Sequence, residues 1–150
     1  MSFGYKGAGC LVFHYDTKTH KVSVLLGKRT SGAGAGQWSI PGGGWETKDG
    51  RTSSGEFNYR RTATRELGEE MRIFLPKNYA LNKIWSAHYL LFDFEVFAVR
   101  RANKNSVRKW TEFSSVKWFD IDRLPKNLYW MVPGQIKNLL EAMTQKGYAL

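Results

Sequence analysis

Three glutamates in one short acidic stretch, Arg65-Glu66-Leu67-Gly68-Glu69-Glu70, are the residues of this chain best suited to do chemistry. Glu66 and Glu70 are four apart and Glu69 is three from Glu66, so a helix brings all three to one side. Like charges at these spacings destabilise an isolated helix, so such a cluster needs compensation by solvent or by a cation. Hard divalent cations such as Mg²⁺ prefer carboxylate oxygens and keep several waters, which phosphate oxygens can replace. Arg65 stands one residue before Glu66 and four before Glu69, where it can hold a carboxylate in a fixed orientation. The competing reading is a solvated charged face.

The elements that must position these residues follow from the flanking sequence. A Gly/Pro-rich loop, Pro41-Gly42-Gly43-Gly44-Trp45-Glu46, comes first, then a polar stretch ending in Ser53-Ser54-Gly55-Glu56. Ser53 followed three residues later by Glu56 reads as a capping box, which predicts a helix starting near residue 54. Pro76 ends any continuation.

Loop and acidic stretch together resemble the Nudix box, G-x5-E-x7-R-E-U-x-E-E-x-G-U with U aliphatic. Arg65 to Glu70 fill R-E-U-x-E-E without a gap, and Ile73 fills the last aliphatic place. There are two departures. Counted forward from Pro41-Gly42-Gly43, the first glutamate of the pattern falls at Asp49, with Glu46 also in register, and eight extra residues then precede Arg65. Counted back from the helix, Gly50-x5-Glu56 fits but leaves eight residues rather than seven before Arg65. The upstream carboxylate is therefore Asp49 or Glu56. The second departure is Arg72 in place of Gly. Either Arg72 takes a left-handed cap at a cost of about 1 kcal/mol, or the helix runs slightly further.

A length of 150 residues suits one domain, spanning 1–150, with enough chain to bury a core. No apolar run approaches the ~20 residues of a membrane span and the N-terminus lacks a leader's apolar core, so no membrane partner and a cytoplasmic location are expected. Cys10, the single cysteine, cannot form an intramolecular disulfide, and its apolar neighbours mark it as a packed residue rather than a nucleophile. The net charge of +10 attracts polyanions, either nucleotide phosphates or nucleic acid, and also favours solubility.

Gly7 to Phe13 and Lys21 to Gly27 read as paired strands. The second runs into Lys28-Arg29 and a glycine-dense loop, Gly32-Ala33-Gly34-Ala35-Gly36. From Leu25 to Gly43 the sequence is similar to the approach to the box in MutT-like Nudix enzymes that cleave nucleoside triphosphates in pool sanitation. Ile84 to Arg100 is the longest strand-like stretch, with Phe92, Phe94, Val96 and Ala98 on one face and Asp93, Glu95 and Phe97 on the other. The two acids imply a polar cleft or a water-facing edge. His88 reads as structural. Residues 100–109 form a basic loop, Val116 to Phe119 a further strand, and Gln135 to Gln145 a final helix with Ile136, Leu139, Leu140 and Met143 as its apolar stripe.

The resemblance implies a Nudix α/β/α sandwich, a mixed curved sheet between the box helix and the C-terminal helix. It implies a Mg²⁺-dependent pyrophosphohydrolase, with Mn²⁺ as a substitute, acting on a nucleoside diphosphate linked to another group. Glu66, Glu69, Glu70 and Glu112 are the implied metal ligands, and Arg65, Glu66, Glu70 and Glu112 the implied catalytic set. Lys28, Arg29, Gly43 and Gly44 are the expected substrate contacts. A nucleoside triphosphate is the favoured substrate; the alternatives are a dinucleotide or nucleotide-sugar, RNA 5′-end processing, or a basic RNA- or nucleotide-binding module. The basic residues are expected to cluster beside the metal site, which favours a small nucleotide over nucleic acid.

Overall fold

The computed structural model describes residues 4–150. The reading of the extreme N-terminus as lacking a leader concerns in part residues 1–3, which lie outside the described residues. In chain order the elements are β1 (Tyr5–Tyr15), β2 (Val22–Arg29), β3 (Trp38–Ser39), β4 (Gly42–Gly44), a 3-10 turn (Thr47–Asp49), α1 (Tyr59–Met71), β5 (Asn82–Tyr89), β6 (Phe92–Arg100), β7 (Phe113–Asp120) and α2 (Val132–Gln145). The strands form one sheet with the path β3-β2-β1-β6-β5, while β4 pairs with β1 and β7 with β2. β1 and β6 run parallel and the other pairs antiparallel, so the sheet is mixed.

Alternation along the strands makes two cores. Leu11, Phe13 and Tyr15 of β1 pack with Phe94, Val96 and Ala98 of β6 under Ile136, Leu139 and Met143 of α2. Ala8, Cys10 and Val12 of β1 and Phe97 of β6 point the other way, onto Ala63, Leu67 and Met71 of α1. A helix thus covers each face of the curved sheet, which is the expected α/β/α sandwich. Fully burying a residue such as Leu11 or Leu67 contributes roughly 1.5–3 kcal/mol, so these layers hold α1 firmly on the sheet. Cys10 is one of the packed residues; burial pushes its thiol up to about 12.

Several local expectations need correction. The helix does not start near residue 54. Thr52 Oγ1 instead accepts the Glu56 N–H at 3.2 Å, Arg51 bridges Phe57, and Gly55 turns the chain at a φ of 85°. The true cap is Asn58, whose side chain accepts from the Arg61 N–H at 3.2 Å. Nor does α1 run on: Arg72 caps it in the left-handed region at φ 55°, its N–H donating to Gly68 O. The stretch from 84 to 100 is a hairpin, with Tyr89 opposite Phe92 across a two-residue turn. The final helix begins three residues earlier than expected, at Val132 with Pro133 in its first turn.

β6 lies between β1 and β5, so its acids do not face water from an edge. They line an open polar cavity, where Lys6 Nζ donates to Asp93 at 2.6 Å and His88 lies 3.1 Å from Asp93 and 3.4 Å from Glu95.

Candidate active site

Arg65 is the hub of the site. Its position in the second turn of α1 aims it back at the loop that follows β4. Nε donates to Asp49 Oδ1 at 2.7 Å and Nη2 to Asp49 Oδ2 at 2.9 Å, a bidentate pair. Nη2 also donates to Gly44 O at 2.8 Å, while Nη1 reaches Glu66 Oε1 at 2.9 Å and Glu69 Oε2 at 3.2 Å. Asp49 is only 1% exposed and accepts further bonds from Thr62 Oγ1 and the Glu46 N–H, each at 2.9 Å. Burial opposes its ionisation, yet Arg65 and these donors together hold its carboxyl below the usual range. The Asp49 hydrogen bond in turn raises the Arg65 guanidinium. Of the two upstream carboxylates left open by the sequence, Asp49 meets Arg65, whereas Glu56 sits in the exposed 51–57 turn.

The three glutamates are not equivalent. Glu69 faces solvent and is half-exposed on its side chain, Glu66 is held under Arg65, and Glu70 is buried at 4% exposure. Glu70 Oε1 accepts the Gly42 N–H at 3.1 Å. Burial, with the Glu66 carboxylate beside it, pushes the Glu70 pKa far above the usual glutamate range. Among the described residues no three acidic, histidine or cysteine side chains are already gathered as a metal cage. The donor chemistry nevertheless fits a hard cation: oxygens only, a buried carboxyl whose charge the protein leaves poorly compensated, and an exposed neighbour. Mg²⁺ takes one or two carboxylates plus water and phosphate rather than a full protein cage.

The raised Glu70 pKa makes stability depend on pH with a definite sign. Folded Glu70 keeps a proton that the unfolded chain releases above about 4.3. Its contribution is therefore intact below that value and is lost as pH rises toward the folded pKa. In chelator, the melting temperature should fall from pH 5 to pH 8 by up to roughly 3–6 °C per unit, from ~1.4 kcal/mol per unit and about 2–4 °C per kcal/mol. Thermal melts across that range check it, and millimolar Mg²⁺ should raise the high-pH values by binding the folded state. A flat profile would argue for the solvated-face reading.

Within β4, Gly43 is the position where backbone passes directly over an acid. A Cβ on Gly43 would collide with the Glu66 carboxylate, within 2.5 Å of its Cδ. Gly43→Ala should therefore displace Glu66, costing about 1–3 kcal/mol of stability and at least ~10-fold in turnover, read by melting and by initial rates. Gly44 contributes its carbonyl to Arg65.

Glu112 arrives from the segment before β7. Thr111, its neighbour, donates its N–H to Glu70 O at 2.9 Å and its hydroxyl to Glu69 O at 3.2 Å, docking the segment on the end of α1. Glu112 itself holds a left-handed φ of 66°, and its charge adds to the upward push on Glu70. The start of the basic loop is placed differently from expectation. Parallel pairing sets Arg100 opposite Phe13, whereas the box loop pairs at Gly7–Gly9, so Arg100 lies four residues, or about 13 Å, further along β1. Arg100 stacks on Tyr148 instead, and Arg101 donates its N–H to Phe13 O. Arg100 does not cluster beside the carboxylates.

A cleft of about 330 Å³ opens on the α2 side of the sheet, bounded by Tyr5, Phe92, Phe94, Tyr129 and Gln135 with Gly42 at its edge. Gly42 links it directly to Glu70. Arg29 lines the cleft with its guanidinium 5.2 Å above the Tyr129 ring, after an irregularity in β2 between Lys28 and Arg29; Lys28 is not among the lining residues. Burial pushes the Tyr5 phenol up to about 12, with Glu66 and Glu70 adding to the shift. Tyr5, Tyr129 and Gln135 escaped the sequence reading. They come from the chain's two ends, and no local pattern joins them.

Comparison with known proteins completes the assignment. The NUDIX domain family profile matches residues 6–141. No curated protein matches the sequence significantly. Among solved structures, a Caenorhabditis elegans Ap4A hydrolase binary complex (C. elegans) aligns with a TM-score of 0.68 at 17% identity, covering 93% of this chain and 99% of that one. The NUDIX domain of Shewanella oneidensis NrtR, complexed with ADP ribose, aligns at 0.67 and 15% identity over 95% and 90%. A MutT/nudix family protein from Enterococcus faecalis aligns at 0.63 and 13% identity over 80% of this chain, which spans only 45% of that longer one. With the family profile matching from β1 into α2 and the box residues gathered around Arg65, the chain belongs to the Nudix family and is a hydrolase of phosphoric anhydride bonds.

Proposed function

We propose that the chain cleaves a nucleoside triphosphate to the monophosphate and pyrophosphate, using a divalent cation. The observation that carries this reading is continuity: the aromatic cleft opens at Gly42, the residue that donates to Glu70. A nucleoside in the cleft presents its phosphates toward Glu66, Glu69 and Glu70, and Arg29 adds a fixed positive charge.

Glu66, Glu69 and Glu70 would hold the cation, with Glu112 joining from the segment docked on α1. Bound there, a divalent cation lowers the pKa of a coordinated water and offsets charge on the phosphoryl oxygens. Arg65, itself fixed by Asp49 and Gly44, orients Glu66. Glu66, held by Arg65, and Glu70, held by the Gly42 N–H, are the carboxylates on this chain placed to take the proton released when water attacks phosphorus.

A dinucleotide or nucleotide-sugar is the second reading; one structural relative is an Ap4A hydrolase and another is a NUDIX domain complexed with ADP ribose. One panel separates the readings: four nucleoside triphosphates, Ap4A, ADP ribose and a 5′-triphosphorylated RNA, each with Mg²⁺. Pyrophosphate release from at least one free triphosphate, faster than turnover of the other three classes, is expected. Faster turnover of Ap4A, of ADP ribose or of the RNA would displace the proposal.

A further inference from the structure

A second groove, of about 400 Å³, lies between the C-terminal end of α1 and residues 101–109. No carboxylate lines it. Arg72, Arg101, Arg108 and Lys109 do, together with the half-buried Trp118. Among the described residues none of these four cations makes an ion pair. Arg51, Arg60, Arg65 and Arg100, by contrast, all donate to protein oxygens. Four like charges around one groove repel one another unless an anion joins them. The dipole of a helix C-terminus accounts for one nearby cation, Arg72, and not for the other three. Nor is the loop free to carry its charges away. Trp118 Nε1 donates to Asn105 O at 2.9 Å, and Val107 packs on the α1 core.

Exposed aromatic side chains accompany these cations. Phe74 is 70% exposed two residues after Arg72, and Trp110 is 37% exposed directly after Lys109. Cations interleaved with rings match a flexible chain of nucleotides, whose phosphates meet the cations and whose unstacked bases lie on the rings. A duplex keeps its bases stacked inside, and an inorganic phosphate chain has none, so either would leave the rings idle. We infer that this groove binds single-stranded nucleic acid, with a nucleotide seated against Trp118 and the chain continuing over Phe74 and Trp110. Binding here needs neither the aromatic cleft nor a divalent cation, so it stands or falls apart from the triphosphate reading.

A net charge of +10 attracts any polyanion, so the experiment has to separate this groove from charge in general. A fluorescent oligouridylate of about twelve nucleotides, and a duplex of the same length, are titrated by anisotropy in chelator at several salt concentrations. The single strand should bind about 10-fold more tightly than the duplex, the scale of one stacked base. Changing Arg72, Arg101, Arg108 and Lys109 together to Gln should weaken single-strand binding about 100-fold and lower the salt slope by roughly three, at ~0.7 per cation. Arg123, Lys126, Lys137 and Lys146, exposed on α2 and the segments flanking it, remove the same charge when changed to Gln. That second set should cost about 5-fold or less, as screened charge at a distance. Phe74→Ser with Trp110→Ser leaves the charge alone and should abolish most of the preference for the single strand. Both positions are exposed, so this pair decides even where the fourfold variant does not fold. Equal binding of single strand and duplex, equal losses from the two sets of cations, or an unchanged preference in the aromatic pair overturns the inference. So does displacement of the oligouridylate by UMP or inorganic tripolyphosphate at concentrations no higher than those of unlabelled oligouridylate.

Discussion

Glu70→Gln should lower kcat about a thousandfold, equivalent to ~4 kcal/mol of barrier at 1.36 kcal/mol per tenfold. The substitution removes one oxygen donor and the proton-binding site but keeps the shape and the acceptor for the Gly42 N–H. A pure loss of function would be uninformative if the protein unfolded, so the stability readout matters. Glu70 is buried and crowded by Glu66, and its ionised form opposes folding at neutral pH. Glu70→Gln should therefore melt higher than the wild type at pH 8 in chelator, and lose its response to Mg²⁺. Near-normal Mg²⁺-dependent turnover would show that this glutamate neither holds the cation nor takes the proton.

The second large effect is structural. Arg65→Ala should destabilise the protein by about 3–5 kcal/mol, because it leaves the buried Asp49 carboxylate without its cation. At about 2–4 °C per kcal/mol that is a drop of roughly 10 °C in melting temperature. Arg65→Lys should recover only part of it, since a single ammonium cannot make the paired bonds to Asp49 while also reaching Gly44 O and Glu66. Asp49→Asn should weaken the same network, whereas Glu56→Gln should change stability by less than about 0.5 kcal/mol as an exposed position. Equal effects at Asp49 and Glu56 would contradict the assignment of Asp49 as the partner of Arg65.

What was legible in the sequence, and what was not, divides by the range of the interactions involved. The sandwich followed from the order of the elements and the resemblance of the box, with the alternation in β6 and the apolar stripe of α2 in agreement, both of them patterns within one element. The acidic segment was legible because its spacing is helical and unbroken. The start of α1 was misread since Ser53 and Glu56 have the right spacing for a cap, yet Thr52 satisfies the Glu56 N–H first and Gly55 turns the chain. Asp49 and Glu56 could not be separated by counting, because the extra residues form a self-contained turn that closes between Arg51 and Phe57. Arg100 was misplaced for want of the register between β1 and β6, which are more than 80 residues apart. The same gap hid the cleft, where Tyr5, Phe94 and Gln135 meet only after the sheet and α2 have packed.

The bond that breaks is the most direct measure of the whole account. Phosphorus NMR of one well-used nucleoside triphosphate, incubated with the wild-type protein and Mg²⁺, resolves the products without a coupling enzyme. The account predicts monophosphate and pyrophosphate in equal amounts, appearing together and only with a divalent cation present. Diphosphate with inorganic phosphate, or the same products at the same rate in chelator, would contradict it.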